Sequence, residues 1–150
     1  MNANSLHRRG TEDAEGAQRE LTEKVLAAAF AVHSELGAGL LEAVYQEALA
    51  FELADRGLAV ASQREVPVIY RGRALKAPLR LDLIVDECLV LEVKAVDALA
   101  PIHTAQLLTY LRLCNLQLGL LLNFNTIHLR DGIRRVANTL RTSASSIPLR

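Results

Sequence analysis

Two carboxylates and one amine interrupt an otherwise apolar stretch in the middle of the chain. The stretch RLDLIVDECLVLEVKA, residues 80–95, carries Asp82, Glu92 and Lys94 inside its apolar runs. Burying a charged side chain is costly unless the charge is paired or binds a metal. Because hard cations such as Mg²⁺ take carboxylate oxygens as ligands, these residue types suggest a metal site.

The register of two predicted strands brings the carboxylates together. Side chains alternate between the faces of a strand. The odd-numbered residues of both runs are apolar and are predicted to share one core face: Leu79, Leu81, Leu83, Val85, Leu89, Leu91 and Val93. A three-residue turn at 86–88 then places Val85 opposite Leu89, and Asp82 falls opposite Glu92. Because opposed Cβ atoms are ~4.5–5.5 Å apart, two like charges there repel each other and something must compensate.

Two explanations of this pair follow from the residue types. In the first, a divalent cation lies between the carboxylates, and Lys94 borders the same place. In the second, the charges form a solvated ion-pair patch in which Arg80 and Lys94 neutralise Asp82 and Glu92. Composition alone favours neither explanation.

Two helices are predicted ahead of these strands. Residues 21–36 have apolar residues at helical spacing, and Gly37 is suited to end that helix. A second helix is expected over roughly residues 40–56, and Gly57 would stop it. Its predicted apolar stripe consists of Leu41, Val44, Ala48 and Phe51.

Strands and one more helix complete the predicted order. Residues 58–70 contain one or two strands, YRGR is a turn, and Pro101 suits the first turn of a helix. LQLGLLLNF is a near-continuous apolar run, as expected of a strand covered on both faces. A closing hairpin is predicted around Asp131 and Gly132. This order predicts an α/β fold with a mixed β-sheet flanked by helices.

Composition limits the function classes. The chain has 150 residues, enough for one domain with a core, and its formal net charge is zero. Zero net charge argues against a protein that coats nucleic acid by charge alone, although a local basic patch is compatible with it. Cys88 and Cys114 lack metal-type spacing, and a reduced cytosolic compartment is the simplest expectation.

Both ends of the chain are expected to be flexible tails. Residues 1–20 are polar and lack the apolar core of a signal peptide, and residues 141–150 are similar in composition. Residues 21–140 are therefore expected to form a single domain. No run approaches the ~18 apolar residues of a membrane span, so a cytoplasmic location is expected.

Several motifs occur together in an order that resembles a known family. Asp82 is followed by Glu92-Val93-Lys94, a D…(D/E)-x-K pattern, and GAGLLEAVYQEAL contains Gly39-x-x-Glu42-x-x-Tyr45. KAVDALAPIHTAQLLTYLRL and GLLLNFNTIHLRDGIRRV follow. Over residues 21–138 the chain resembles the GxxExxY family, small bacterial and archaeal proteins of the PD-(D/E)XK nuclease superfamily.

The resemblance implies an αβββαβ core and Mg²⁺- or Mn²⁺-dependent hydrolysis of phosphodiester bonds in nucleic acid, with DNA as the first expectation. It implies Asp82 and Glu92 as metal ligands, with Glu42 completing the site. Lys94 would position or activate the attacking water. Gln106 and Tyr110 match a Q-x-x-x-Y helix motif and would contact the substrate or steady the site. Ala38 stands where many relatives carry Pro, which affects only a loop.

Other predicted site residues have structural explanations beside the functional ones. Tyr45 and Tyr110 could contact substrate, or could pack in the core with their hydroxyls satisfied. Glu42 could complement a helix dipole instead of binding metal. His103 could assist as a base at the substrate, or could cap a helix. Arg80, like its neighbours Arg71, Arg73 and Lys76, could meet phosphates or belong to an ordinary solvated hairpin.

Two other functions compete with a nuclease. A catalytically silent module that binds nucleic acid or protein on a nuclease fold would suit the small size and neutral charge. A dimerisation domain would place the run LGLLLNF partly at an interface, although the core explains that run more economically. A homodimer is compatible with the enzyme as well. The sequence leaves open DNA versus RNA, and endonuclease versus exonuclease action.

Overall fold

The computed structural model describes residues 3–139 as three helices and seven strands. In chain order the elements are α1 (Ala3–Leu36), α2 (Glu42–Asp55), β1 (Val60–Val66), β2 (Ile69–Tyr70), β3 (Arg73–Ala74), β4 (Leu79–Val85), β5 (Leu89–Lys94), α3 (Pro101–Cys114), β6 (Leu118–Asn123), a 3₁₀ turn (Leu129–Gly132) and β7 (Ile133–Ala137). None of these described helices is long and apolar enough to cross a membrane.

Five strands form one mixed sheet in the order β1-β4-β5-β6-β7, and β2 and β3 form a separate two-stranded hairpin. β5 and β6 are parallel, and the other neighbouring strands of the sheet are antiparallel. A parallel pair needs a crossover connection, which α3 provides. This confirms the predicted fold class, a mixed sheet flanked by helices.

The sheet separates two apolar layers. On one side α1 and α2 pack on the α1/α2 core, which includes Val25, Ala29, Val32, Tyr45, Leu49, Leu53, Leu83, Val85, Leu89, Leu91, Val93, Leu118, Leu120, Leu122 and Phe124. On the other side α3 packs on the α3 core: Leu79, Leu81, Ile84, Val90, Leu107, Leu111, Leu121 and Val136. β6 contributes to both layers and is buried along its length. The predicted run LQLGLLLNF is therefore a central strand covered on both faces.

The first helix is longer than predicted. It ends at Leu36 as expected, with Gly37 in the left-handed region at φ 72°. It begins at Ala3, however, where the polar composition predicted a flexible tail as far as residue 20. Burial in the α1/α2 core starts only at Leu21. A polar sequence thus indicated exposure correctly but could not distinguish an exposed helix from coil. The predicted tail at 141–150 lies outside the described residues.

The second helix buries a different stripe from the predicted one. Its buried residues are Tyr45, Leu49 and Leu53. Leu41 and Phe51 from the predicted stripe are 78% and 70% exposed. Because α2 carries apolar residues on more than one side, periodicity alone cannot select the face that meets the sheet.

The chain returns from β6 to β7 through a nine-residue connection instead of a tight hairpin, so the predicted turn at Asp131 and Gly132 is wrong. The two residues end the 3₁₀ turn. Gly132 lies so close to the end of β6 that a Cβ would clash with the Asn123 carbonyl oxygen. The glycine is required by this close approach of two backbone segments.

Candidate metal and nucleic-acid site

The register of the β4–β5 hairpin agrees with the sequence prediction. Val85 pairs with Leu89 across the turn, and the regular pairing continues to Leu83 with Leu91. The ladder stops there, one step before Asp82 and Glu92. The two carboxylates therefore lie where β4 and β5 cease to pair through their backbones.

The two carboxylates replace the missing backbone bonds. Asp82 Oδ2 accepts a hydrogen bond from the Val93 N–H at 2.9 Å. Glu92 Oε1 lies 3.5 Å from the Asp82 nitrogen, at the long limit for a hydrogen bond. Each carboxylate thus reaches across to the other strand, and both are held at the same place.

A local distortion of β1 and β4 accompanies Asp82. Leu83 packs in the α1/α2 core, whereas Leu79 and Leu81 pack in the α3 core. The prediction that all odd-numbered residues of β4 share one face is therefore wrong. In β1, Gln63 is level with Asp82 and has φ 51°, a left-handed conformation that is uncommon for a residue with a Cβ. The strand changes face at the residue that carries the site's first carboxylate.

Glu92 is only 3% exposed. Burial above all, and then the negative charge of Asp82 and a side-chain hydrogen bond with Asp82, raise the pKa of its carboxyl to about 8, while the Asp82 N–H and the charge of Lys94 act in the opposite direction. Lys94 is half-buried and follows Glu92 by two residues in β5, so the two side chains share a face of the strand. A strongly raised acid pKa in a cluster of this kind is typical of a functional site.

The solvated ion-pair patch is excluded by these contacts. Glu92 is buried, and Arg80 pairs with Glu65 on β1 at 2.9 Å instead of neutralising Asp82. Both members of that pair are exposed. Arg80, a predicted substrate contact, therefore lies near the start of β4 with a carboxylate partner of its own on the edge strand β1.

Helix α3 brings Gln106 and Tyr110 to the carboxylates. Gln106 Nε2 donates to the Tyr110 hydroxyl oxygen at 2.7 Å, as their spacing on one helix face permits. Burial raises the pKa of Tyr110, and the negative charges of Glu92 and Asp82 raise it as well. Gln106 and Tyr110 thus form a hydrogen-bonded pair on α3, the helix that covers the side of the sheet to which Glu92 points.

Helix α2 approaches the pair from the other side of the sheet through a residue that the sequence did not single out. Gln46 Nε2 donates to the carbonyl oxygen of Asp82 at 3.4 Å. Glu42 is half-buried and precedes Gln46 by four residues, so the two side chains share a helix face. Within residues 3–139, however, no three His, Cys, Asp or Glu side chains gather closely enough to hold a metal ion. Glu42 is thus on the correct face but not in contact with the pair.

A family model described as the PD-(D/E)XK nuclease superfamily matches residues 19–136. The chain belongs to this superfamily. Comparisons with curated proteins and with solved structures returned no match. Membership implies a nuclease-type function on nucleic acid, and PD-(D/E)XK nucleases generally use divalent metals.

The two carboxylates of this PD-(D/E)XK chain suit Mg²⁺ better than they suit Zn²⁺ or Ca²⁺, which need more ligands from the protein. Mg²⁺ is usually held by one or two carboxylates, and it keeps waters and binds substrate phosphates at its other positions. Asp82 and Glu92 supply two adjacent carboxylates. Zn²⁺ in structural sites takes four protein ligands, and Ca²⁺ takes six to eight oxygens, which the described side chains do not provide.

Tyr45, a predicted substrate contact, is enclosed in the PD-(D/E)XK core. Its ring is fully buried and stacks on Phe124 with centroids 4.8 Å apart. Its hydroxyl donates to the Gly37 carbonyl oxygen at 2.5 Å and accepts from the Leu40 N–H at 3.1 Å. The hydroxyl is therefore occupied in holding the loop between α1 and α2, which agrees with the packing explanation and not with substrate contact.

His103 is used to cap α3. Its Nδ1 accepts a hydrogen bond from the Ala100 N–H at 2.9 Å, which satisfies a donor just ahead of the helix. This bond leaves the ring's proton on Nε2 when the histidine is neutral. The cap explanation therefore accounts for His103 without a role at the carboxylates.

Asn123 is a second residue that the sequence analysis missed. It is buried at the end of β6, where its Oδ1 accepts from the Val96 N–H at 3.1 Å and its Nδ2 donates to the Val96 carbonyl oxygen at 2.9 Å. The Lys94 carbonyl oxygen also accepts from the Phe124 N–H at 2.9 Å. These hydrogen bonds hold the backbone in place from Lys94, the last residue of β5, to Val96. The sequence signal that could have identified Asn123 is its position as the one polar residue at the end of the apolar run LGLLLN.

Proposed function

We propose that this protein is a metal-dependent nuclease that hydrolyses phosphodiester bonds, with DNA as the first substrate to test. The observation that carries the proposal is the buried Glu92 carboxyl beside the half-buried Asp82 carboxyl, with Lys94 two residues from Glu92 on β5, in a chain of the PD-(D/E)XK superfamily. Two adjacent carboxyl groups resist ionising together, and a cation between them favours the ionised form of both.

Asp82 and Glu92 would hold Mg²⁺ or Mn²⁺, and Glu42 would join them from the face of α2 that also carries Gln46. A cation there would neutralise charge on the phosphate and lower the pKa of a bound water. Lys94 would orient the attacking water or stabilise charge on the phosphate, because it is a cationic residue on the same face of β5 as Glu92. Gln106 would act with Tyr110, whose hydroxyl it contacts, against the substrate.

We also propose that the chain belongs to the GxxExxY family, because all three motif residues lie at the loop that precedes α2 or contact it. Gly39 adopts φ 98°, which a residue with a Cβ rarely does. Tyr45 ties down the same loop through two hydrogen bonds. Glu42 opens α2 between them. The glycine and the tyrosine thus fix the loop that presents the glutamate.

Cleavage assays test the catalytic proposal. Purified protein is incubated with single- and double-stranded DNA and RNA, with Mg²⁺ or Mn²⁺ and with EDTA. We expect metal-dependent cleavage, and we expect Lys94→Ala to reduce its rate by at least ~100-fold, the scale of a positioned proton-transfer group. Lys24→Ala is the matched control, because Lys24 is an exposed lysine on α1 that pairs only with Glu20 among the described ion pairs.

Failure in these assays has a defined meaning. If Lys94→Ala and wild type behave alike on every substrate, the catalytic assignment is wrong. A Mn²⁺ titration then separates the alternatives. Specific binding that Asp82→Asn abolishes supports the metal site. No binding and no cleavage would favour a silent accessory module on the nuclease fold. Mass in solution tests whether the protein is a homodimer in either case.

A further inference from the structure

The β2–β3 hairpin projects from the end of the sheet that holds the carboxylates. It connects the last residue of β1, Val66, to the first residue of β4, Leu79. Because β4 runs antiparallel to β1 and β5, Val66 and Leu79 are at the same end of the sheet as Lys94, the last residue of β5. The hairpin and the candidate site therefore share one end of the molecule.

The hairpin is a defined structure with a basic residue at its tip. Tyr70 pairs with Arg73, and the Leu75 N–H donates to the Val68 carbonyl oxygen at 2.8 Å. The two turn residues, Arg71 and Gly72, have φ 49° and 78°, as in a type I′ turn. Asn or Gly is the usual first residue of such a turn. Arg71 occupies that position despite the unfavourable conformation for a long side chain.

One face of the hairpin is turned towards the side of the sheet that carries α3. Val68 packs against the α3 core. Val68 precedes β2 and still bonds with Leu75 opposite, so alternation continued from Val68 places Tyr70 and its partner Arg73 on the Val68 face of the hairpin. Glu92 alternates with the α1/α2-core residues Leu91 and Val93, so it points to the α3 side of the sheet as well. The Val68 face of the hairpin and Glu92 are thus both directed to the α3 side.

The exposed side chains of the hairpin suit a single strand of nucleic acid. Residues 67–78 contain Arg71, Arg73 and Lys76 and no acidic residue, in a chain of zero net charge. Tyr70 is 58% exposed, and the Arg71 guanidinium carbon is 5.4 Å from its ring centroid. Proteins that bind single strands combine basic groups along the backbone with aromatic rings on which bases stack. The bases of a duplex stay stacked on each other, so a duplex would contact the basic side chains of the hairpin but would not stack on Tyr70.

We propose that the β2–β3 hairpin is an arm that binds single-stranded nucleic acid and lays it beside Asp82 and Glu92. Tyr70 stacks on a base, and Arg71, Arg73 and Lys76 contact phosphates. The inference rests on the proposed nuclease function for the purpose of the arm, but its binding step needs neither metal nor turnover.

Binding without metal tests the arm separately from catalysis. The full chain is titrated against a fluorescent oligo-dT in EDTA, and anisotropy is measured over a range of salt concentrations. We expect the triple variant Arg71→Gln, Arg73→Gln, Lys76→Gln to bind at least ~10-fold more weakly. Its log–log salt slope should fall by about 2, because each lost phosphate contact on a single strand contributes ~0.7. The charge-matched control, Arg19→Gln, Lys24→Gln, Arg56→Gln, should bind as wild type does.

A tryptophan placed on the hairpin tests stacking directly. The chain contains no Trp, so Tyr70→Trp gives a protein with a single indole. Oligo-dT should quench its fluorescence if a base stacks there. Phe51→Trp is the control, because Phe51 is an exposed aromatic residue on the outer side of α2, and its emission should be unchanged. Tyr70→Ala should weaken binding by about tenfold, the scale of one lost base stack.

Each outcome bears on one proposal. Wild-type affinity in the triple variant, no binding of oligo-dT by wild type, or a preference for duplex would overturn the arm. Cleavage that persists in such a case leaves the nuclease proposal standing. If the triple variant instead changes the mass in solution without changing oligo-dT affinity, the hairpin is a contact between copies of the chain and the arm is wrong. Hairpin-dependent binding without cleavage under any metal would support the arm and overturn the nuclease.

Discussion

The two ends of the β4–β5 hairpin are built from the same strands and differ in almost every other respect. At the closed end, next to the turn, Val85 with Leu89 and Ile84 with Val90 are paired through the backbone, and all four side chains are buried. At the open end the backbone ladder has stopped, and the carboxylates of Asp82 and Glu92 accept the hydrogen bonds in its place.

The comparison shows how one hairpin divides stability and chemistry. Apolar burial and regular backbone bonds stabilise the closed end. The open end buries a carboxyl whose ionised form is disfavoured there and places a second carboxylate beside it, an arrangement that stabilises the fold little. The closed end holds the strands in register, so that the open end can keep two carboxyl groups together.

A change in the backbone-paired part of the hairpin should have the largest effect on folding. Leu91 is fully buried in the α1/α2 core and forms the last backbone pair before the carboxylates. Leu91→Ala should lower the free energy of unfolding by about 2–5 kcal/mol, because it leaves a cavity. Denaturant unfolding followed by circular dichroism measures this. A loss as small as that of an exposed apolar change, for which Leu41→Ala is the control, would contradict this division of roles.

A change at the open end should stabilise the protein, and the effect should depend on pH. With its pKa raised to about 8 from 4.5, Glu92 keeps a proton in the folded state over a range in which the unfolded chain has released it. Deprotonation therefore favours the unfolded state, and the stability of wild type falls as pH rises from about 4.5 to about 8.

Glu92→Gln removes this titration while keeping an oxygen for the bond to Asp82. We expect its melting temperature without metal to exceed that of wild type by several °C at pH 8, since ~1 kcal/mol shifts the melting temperature by about 2–4 °C in a chain of this length. The difference should vanish near pH 4.5. Thermal melts across this pH range measure it, and equal pH slopes for the two proteins would show that Glu92 is not the titrating group.

A smaller effect is expected where α3 approaches the sheet. A Cβ on Gly119 of β6 would lie 2.8 Å from Leu107 Cδ1, so α3 packs closely because this residue is glycine. Gly119→Ala should cost about 1–3 kcal/mol in stability through overpacking. It should also reduce cleavage per folded molecule, because Leu107 is the neighbour of Gln106 on α3. Glycine to alanine at Gly16 on the exposed part of α1, where a Cβ meets nothing within 4 Å, is the matched control. Unchanged cleavage per folded molecule would show that the site does not depend on how closely α3 packs on β6.

Local rules predicted the parts of the fold that local rules determine. The register of β4 and β5 followed from alternation and turn length, and the end of α1 followed from Gly37. The face change at Asp82 could not be predicted, because strand alternation assumes a regular backbone and Gln63 departs from one. The buried stripe of α2 could not be predicted either, because it depends on which side chains, such as Phe124 just after β6, lie opposite the helix.

The candidate site divides in the same way. Asp82, Glu92 and Lys94 were singled out because they interrupt an apolar pattern. Gln106 and Tyr110 were singled out through a motif. Gln46 and Asn123 were missed because their partners, Asp82 and Val96, are distant in sequence, and neither residue breaks a local rule strongly.

The locality of the carboxylate pair has a consequence for folding kinetics. Asp82 and Glu92 are ten residues apart and belong to one hairpin, an element that forms within about 1–10 μs. Pairing of β5 with β6 must wait for the crossover through α3, and such non-local contacts form slowly. The two acids therefore meet while the hairpin is still open to water and before the α3 core covers them. Their repulsion therefore acts on the unfolded chain as well as on the folded protein, and we expect a divalent cation or mild acid to speed the formation of this hairpin during refolding.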